Sequence, residues 1–324
     1  MGSFTHLHGS LRPVPLRVAS DEDVLAAAAE IVALAADAPV GLSAEALERS
    51  GLLAIPIPND FDGADVSNRL IARVVSQIAE VQSTAARALA SHFRALELVR
   101  NAGSEEQRRS IYLRVVSGER LSSAAVGVHR PSQRYVTDGI GFKVSGAIEA
   151  VSLGEPGWFA LLALSEAEVL SLLLVQRGSS EVRLAHSGEP ALYNFDQVHV
   201  PADSVLALNS DALPLSQSLG SILHASTILG EKRRKLAAEL RHGDSSFSGR
   251  LRDERIGRFR LDIEILAALI ERAATALDLA QVNATPADVS EASRIATALE
   301  IAALPDGARE TPRLLAELGQ TLTS

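Results

Sequence analysis

Phe195-Asp196-Gln197-Val198-His199-Val200-Pro201-Ala202-Asp203 is the stretch on which the fold turns. Its apolar run, Gln197 to Val200, is halted by Pro201, which has no N–H to give a sheet, so the run reads as a strand leaving a β segment. Moving back along the chain, short apolar runs alternate with turns: Arg134 to Thr137, the Asp138-Gly139 turn, Phe142 to Val144, Phe159 to Leu164, Val169 to Val175 and Val182 to Ala185. This texture holds from Leu121 to about Leu206. Beyond it the period lengthens to that of a helix over Gln217 to Leu240, Ile256 to Gln281 and Val289 to Ala303, with a polar break from Gly243 to Gly249.

Helical signals also fill the chain before Leu121. Ser20 is a helix cap, Asp21, Glu22 and Asp23 complement the dipole of a first turn, and Val24 to Ala38 follows as an Ala-rich helix stopped by Pro39 and Gly41. A short helix spans Ala44 to Ser50. The prolines at 56 and 58 predict an extended Leu52 to Pro58, followed by a turn at Asp60, Asp62 and Gly63. From Ser67 to Leu98 the apolar positions keep helical spacing over two or three helices, and Glu105 to Val116 repeats it between Ser104 and Gly118. The expected architecture is α+β: a flexible arm over 1–17, an N-terminal helical domain over 18–120, a β-barrel or sandwich over 121–206, and a C-terminal helical bundle over 207–324.

Composition narrows the function classes. The chain has 324 residues, 47% of them hydrophobic and 22% charged, which is enough to bury a large core. A formal charge of -9 argues against nucleic acid or an anionic membrane as partner, since both require a basic face. Zero cysteines remove disulfides, thiolate metal sites and thiol nucleophiles, and a cytoplasmic location is the expectation. The most apolar window, Trp158 to Gln176, is interrupted by Ser165, Glu166 and Glu168 and reads as two strands with a turn rather than a membrane span.

Several phrases, in order, resemble the acyl-CoA dehydrogenase-like flavoproteins. Gly51 to Pro58 with Asp60-Phe61-Asp62-Gly63 is similar to the family's stretch after its second helix. Gly103-Ser104-Glu105-Glu106-Gln107-Arg108 with Ser117-Gly118-Glu119 is similar to its passage into the β domain, and the opening stretch at Phe195 to its strand leaving that domain. Ser91-His92-Phe93 and Ile222-Leu223-His224-Ala225 look most like the branch of sulfur-acquisition oxidoreductases and dibenzothiophene desulfurisation monooxygenases, which use reduced flavin and oxygen. Two flavin-contact phrases depart from the pattern. Ser122 to Arg130 lacks the family's acidic residue and paired glycine, while from Gly146 to Gly154 only Gly146 and Ser152 fit and Ile148 replaces a basic residue. Family chains commonly continue for tens of residues past the equivalent of Ala303, so the resemblance is to a C-terminally shortened member, with one short amphipathic helix expected at Arg313 to Leu322.

The resemblance implies FMN or FAD as cofactor, a small acyl-CoA or organosulfur substrate, and a homodimer, homotetramer or a family paralogue as partner. It points to His92 and His224 as catalytic groups and to Ser152, His129 and Arg130 near the cofactor. Each has a plainer reading. His92, among Leu89, Phe93 and Leu96, fits a hydrogen-bonded core histidine as well as a proton donor. Ser152 suits a turn, and His129 with Arg130 suits an exposed loop. The basic run Lys232, Arg233, Arg234 and Lys235 reads as a phosphate site or, more simply, a solvated helix face. Glu264 and Glu271 read as a water-facing pair on an amphipathic helix. Two functions therefore stand side by side: a flavin-dependent oxidoreductase, and a non-catalytic member of the same fold acting as partner to an intact paralogue.

Overall fold

The computed structural model describes residues 15–38, 41–123, 131–241, 249–283 and 285–304. Helices α1 (Asp21–Asp37), α2 (Ala44–Arg49), α3 (Asn68–Val81), α4 (Ser83–Ala102) and α5 (Glu105–Val116) come first. A sheet follows, made of β1 (Leu121–Ser123), β2 (Arg134–Asp138), β3 (Gly141–Ala150), β4 (Trp158–Ser165), β5 (Leu170–Gln176), β6 (Val182–His186), β7 (Ala191–Pro201) and β8 (Val205–Ala207). Three long helices complete the described chain: α6 (Ala212–Arg241), α7 (Gly249–Asn283) and α8 (Pro286–Ala303). The order α, β, α is the one the sequence predicts. The expected helix at Arg313 to Leu322 lies outside the described residues, as does most of the expected arm.

Local chemistry explains the element boundaries. The Ser20 hydroxyl caps α1 by accepting from the Asp23 N–H at 3.2 Å, and Val24, Ala27, Ala28 and Ile31 form its buried stripe. Gln82 breaks α3 from α4 with extended backbone, φ -148° and ψ 100°, and its side-chain amide is taken up by the backbone of Leu42. At α5 a complete capping box forms, Ser104 Oγ accepting from Gln107 N at 3.2 Å and Gln107 Oε1 accepting from Ser104 N at 3.0 Å. The same Gln107 amide donates to the carbonyls of Asp203 at 2.7 Å and Val205 at 3.2 Å. One side chain thus closes a helix and ties it to the segment leaving the sheet.

The stretch from Leu52 to Pro58 is not extended. It forms a tight helical turn at Leu52–Ala54, and a second follows at Asn59–Phe61. Gly51, at φ 78°, lets the chain reverse, and Ile55 adopts helical backbone before Pro56. Leu52, Leu53, Ile55 and Ile57 are all buried, and burial of four aliphatic side chains outweighs the pre-proline preference.

In the sheet the order is β6-β7-β3-β2-β4-β5-β8, with β1 paired in parallel to β4 off this path. β7 runs further back than the predicted strand. Its buried residues are Ala191, Tyr193 and Phe195, then Val198 and Val200, so the inward parity flips between Phe195 and Val198. A bulge causes the flip: the register shifts between Val144 and Gly146, and Gln197 takes a left-handed φ of 54° while its backbone and side-chain nitrogens donate to Ser145 Oγ at 3.2 and 2.9 Å. Phe159 sits at the centre of this β core, 4.8 Å from the Tyr193 ring and 5.3 Å from that of Phe195.

The helices before and after the sheet share one apolar core rather than two. Leu70, Ile71, Val74 and Ile78 of α3 belong to the same cluster as Leu219, Ile222 and Leu223 of α6. Where these helices cross, a Cβ on Gly230 would stand 2.2 Å from the Ser76 carbonyl oxygen, so only glycine permits the approach. The basic run closes the same seam: Arg233 lies 3.5 Å from Glu80 and Arg234 donates to the Val81 carbonyl and the Ser83 hydroxyl. Glu264 and Glu271 are exposed. Among the described residues no helix is long and apolar enough to cross a membrane.

Candidate functional site

Helix α4 presents Arg87, Ala90, Ser91 and Arg94, positions three, four and seven apart that share one face. Opposite, α6 presents Gly220, His224 and Thr227 by the same rule. The two helices, together with Glu300 and Leu304 from the α8 side, enclose a cleft of about 480 Å³. Its remaining wall comes from the sheet: Ser123 at the tip of β1, Glu149-Ala150-Val151 where β3 leaves the sheet, and Pro190. A cleft of this size suits a small organic ligand.

The polar groups around it differ in how far they are committed. Ser91 Oγ accepts from the Ser123 N–H at 2.9 Å and donates to the Ser123 carbonyl at 3.2 Å, while Ser123 Oγ donates to the Ser91 carbonyl at 3.1 Å. The two serines clasp α4 to β1. Thr227 donates to the Leu223 carbonyl at 3.0 Å. Arg94 is buried, and desolvation pulls its pKa below the usual guanidinium value. Glu300 accepts from Ser221 Oγ at 2.5 Å. At the rim, Glu189 lies 3.4 Å from Arg87 and accepts from the Ser152 N–H at 3.2 Å, so an exposed ion pair bridges helix and sheet.

The predicted site residues meet four outcomes. His224 is exposed and lines the cleft. Ser152 is also exposed, but it stands one residue past the wall at Val151 and contributes its backbone to Glu189. His129 and Arg130 lie outside the described residues. The expectation that His92 faces the ligand needs correction, because its ring is 0% exposed and both nitrogens are spent on backbone. Nδ1 accepts from the Leu121 N–H at 3.0 Å and Nε2 donates to the Leu53 carbonyl at 3.1 Å. Burial, aided by the Arg120 charge, pushes its pKa down to about 3, so the ring is neutral. At this turn of α4 the cleft-facing residue is Ser91. Sequence reasoning also passed over Arg87, Arg94, Thr227 and Glu300. The helical spacing of Thr227 from His224 is a signal that finds one of them.

A second, smaller hollow of about 240 Å³ lies beside α5. There the Arg114 guanidinium stacks 4.7 Å from the Trp158 ring, and Glu119 accepts from Trp158 Nε1 at 2.6 Å. These groups satisfy one another.

Comparison with known proteins bears on the fold. Residues 17–119 match the acyl-CoA dehydrogenase N-terminal domain family. No curated protein matches the sequence. Methanesulfinate monooxygenase MsuC from Pseudomonas fluorescens is similar in structure with a TM-score of 0.74 at 20% identity, over 87% of this chain and 82% of that one. The FMN-bound form of dibenzothiophene monooxygenase TdsC from Paenibacillus sp. A11-2 gives 0.74 at 14% identity, over 87% and 83%. Butyryl-CoA dehydrogenase from Megasphaera elsdenii gives 0.71 at 14% identity, over 93% and 87%. The chain therefore has the acyl-CoA dehydrogenase-like fold, with residues 17–119 matching that family's N-terminal domain.

Proposed function

We propose that this chain is a flavin-dependent oxidoreductase that binds FMN or FAD in the cleft between α4, α6 and α8 and acts on a small acyl-CoA or organosulfur substrate. The observation that carries this reading is His224, an imidazole on the cleft floor that makes no hydrogen bond among the described residues. The wall fits the ring of a flavin: Ala90, Ala150, Val151 and Leu304 offer apolar surface, and Thr227, His224 and Arg94 offer polar groups at its edges. When bound, the flavin supplies two-electron redox chemistry. The residues of the chain then have separate tasks. His224 holds or delivers a proton at its free nitrogen, the apolar wall excludes water, and the Ser91–Ser123 clasp keeps the wall in place. The fold shared with FMN-bound TdsC supports the reading.

One observation favours the second function, a non-catalytic partner of an intact paralogue. Ile148, where the family phrase has a basic residue, is buried in the β core, so a cofactor contact there has become packing. Oxygen-dependent turnover in the presence of reduced flavin separates the two. Turnover that falls by about 100-fold or more in His224→Ala supports the enzyme; turnover absent from the wild-type protein, with flavin bound weakly or not at all, supports the partner.

A further inference from the structure

We propose that His92 is a positioning residue: from inside α4 it fixes the register of β1 and thereby sets the Ser91–Ser123 wall of the cleft, without touching the ligand. The proposal rests on the cleft being the ligand site. β1 spans Leu121–Ser123 and, among the described residues, pairs with a single strand, Leu121, Ser122 and Ser123 lying opposite Trp158, Phe159 and Ala160 of β4. In a parallel pair, alternate residues turn both backbone groups toward the neighbouring strand and the others turn them away. Leu121 and Ser123 therefore face away from β4, toward α4. Their N–H groups are buried, and a buried donor needs an acceptor. Two consecutive residues of α4 provide both: His92 Nδ1 takes the Leu121 N–H at 3.0 Å and Ser91 Oγ takes the Ser123 N–H at 2.9 Å. On this side of β1 a helix thus takes the backbone bonds that a neighbouring strand would take.

The partners dictate the tautomer. The Leu121 N–H can only donate, so Nδ1 must carry a lone pair; the Leu53 carbonyl can only accept, so Nε2 must carry the hydrogen. The imidazole joins three elements, α4, β1 and the Leu52–Ala54 turn. A one-residue slip of β1 would turn Ser123 away from the cleft and send Ser122 toward it.

Two isosteric variants separate this role from simple packing. His92→Asn keeps an acceptor where Nδ1 stood, whereas His92→Gln keeps a donor where Nε2 stood and loses that acceptor. The amide protons of Leu121 and Ser123 are expected to stay protected from exchange in His92→Asn and to exchange at least about tenfold faster in His92→Gln. FMN affinity, read by fluorescence quenching, is expected to follow the same order, near wild type in Asn and about tenfold weaker in Gln. Equal loss in both variants, or full protection in Gln, would overturn the proposal. If neither variant folds, ¹⁵N spectra of the wild-type imidazoles decide: the Nε2–H form is required, and an Nδ1–H signal for His92 refutes it. Should the wild-type protein bind no FMN, the flavin reading falls alone, because the exchange contrast tests the register without any ligand.

Discussion

Acidification should expose His92 as a proton-linked weak point. In the unfolded chain a histidine titrates near 6.5, whereas in the fold burial holds His92 neutral down to about 3. The unfolded state therefore binds a proton that the native state refuses, and stability falls as pH drops below about 6.5, stopping only near the folded value. One refused proton costs about 1.4 kcal/mol per pH unit, so going from pH 7.5 to pH 5.0 removes about 2 kcal/mol on account of this ring alone. Arg120 is the charged neighbour and adds to the effect by repelling an imidazolium. Urea unfolding followed by circular dichroism across this range, in wild type and His92→Asn, isolates the contribution because every other titrating group is common to both. The wild-type protein should lose about 2 kcal/mol more than the variant. Parallel pH profiles would refute the neutral, backbone-bound imidazole.

Other perturbations follow from the same packing. Gly230→Ala places a methyl against the Ser76 carbonyl at the α3–α6 crossing and should destabilise by about 1–3 kcal/mol, seen as a lowered Tm. Gln107→Ala removes half of the capping box and two ties to the Asp203–Val205 segment; a loss of about 1–2 kcal/mol in urea unfolding is expected. His224→Ala alters an exposed side chain and should leave stability within about 0.5 kcal/mol, even where turnover falls.

Much of the fold is legible in the sequence because the signals are local. Ser20, Ser67 and Ser104 cap the helices they precede, and Gly139, with φ 61°, turns the hairpin read at Asp138-Gly139. The failures have non-local causes. The sequence pattern shows β7 short because the bulge opposite Ser145 reverses its parity at Gln197, and no single strand carries that information. For Leu52 to Pro58, proline preferences alone favour extended backbone, and the core that Ile55 and Ile57 enter overrides them. β1 and β8 escaped notice because three-residue strands have no period. At the cleft, the resemblance leads to the turn of α4 that carries the wall, yet it selects His92 where Ser91 lines the cleft. Adjacent helical residues point about 100° apart, so the choice between them depends on how α4 is rolled against β1. Arg94 and Glu300 went unseen for a similar reason, since only the packing of α4, α6 and α8 brings them to one place.

The most direct test is a flavin titration of wild-type protein beside Ala90→Trp, in which an indole fills the cleft from the α4 side. The proposed cleft predicts quenching of FMN or FAD fluorescence by micromolar wild-type protein, with a visible flavin band retained through gel filtration, and neither with Ala90→Trp. No quenching by the wild-type protein, or equal quenching by both proteins, would contradict a flavin site between α4 and α6.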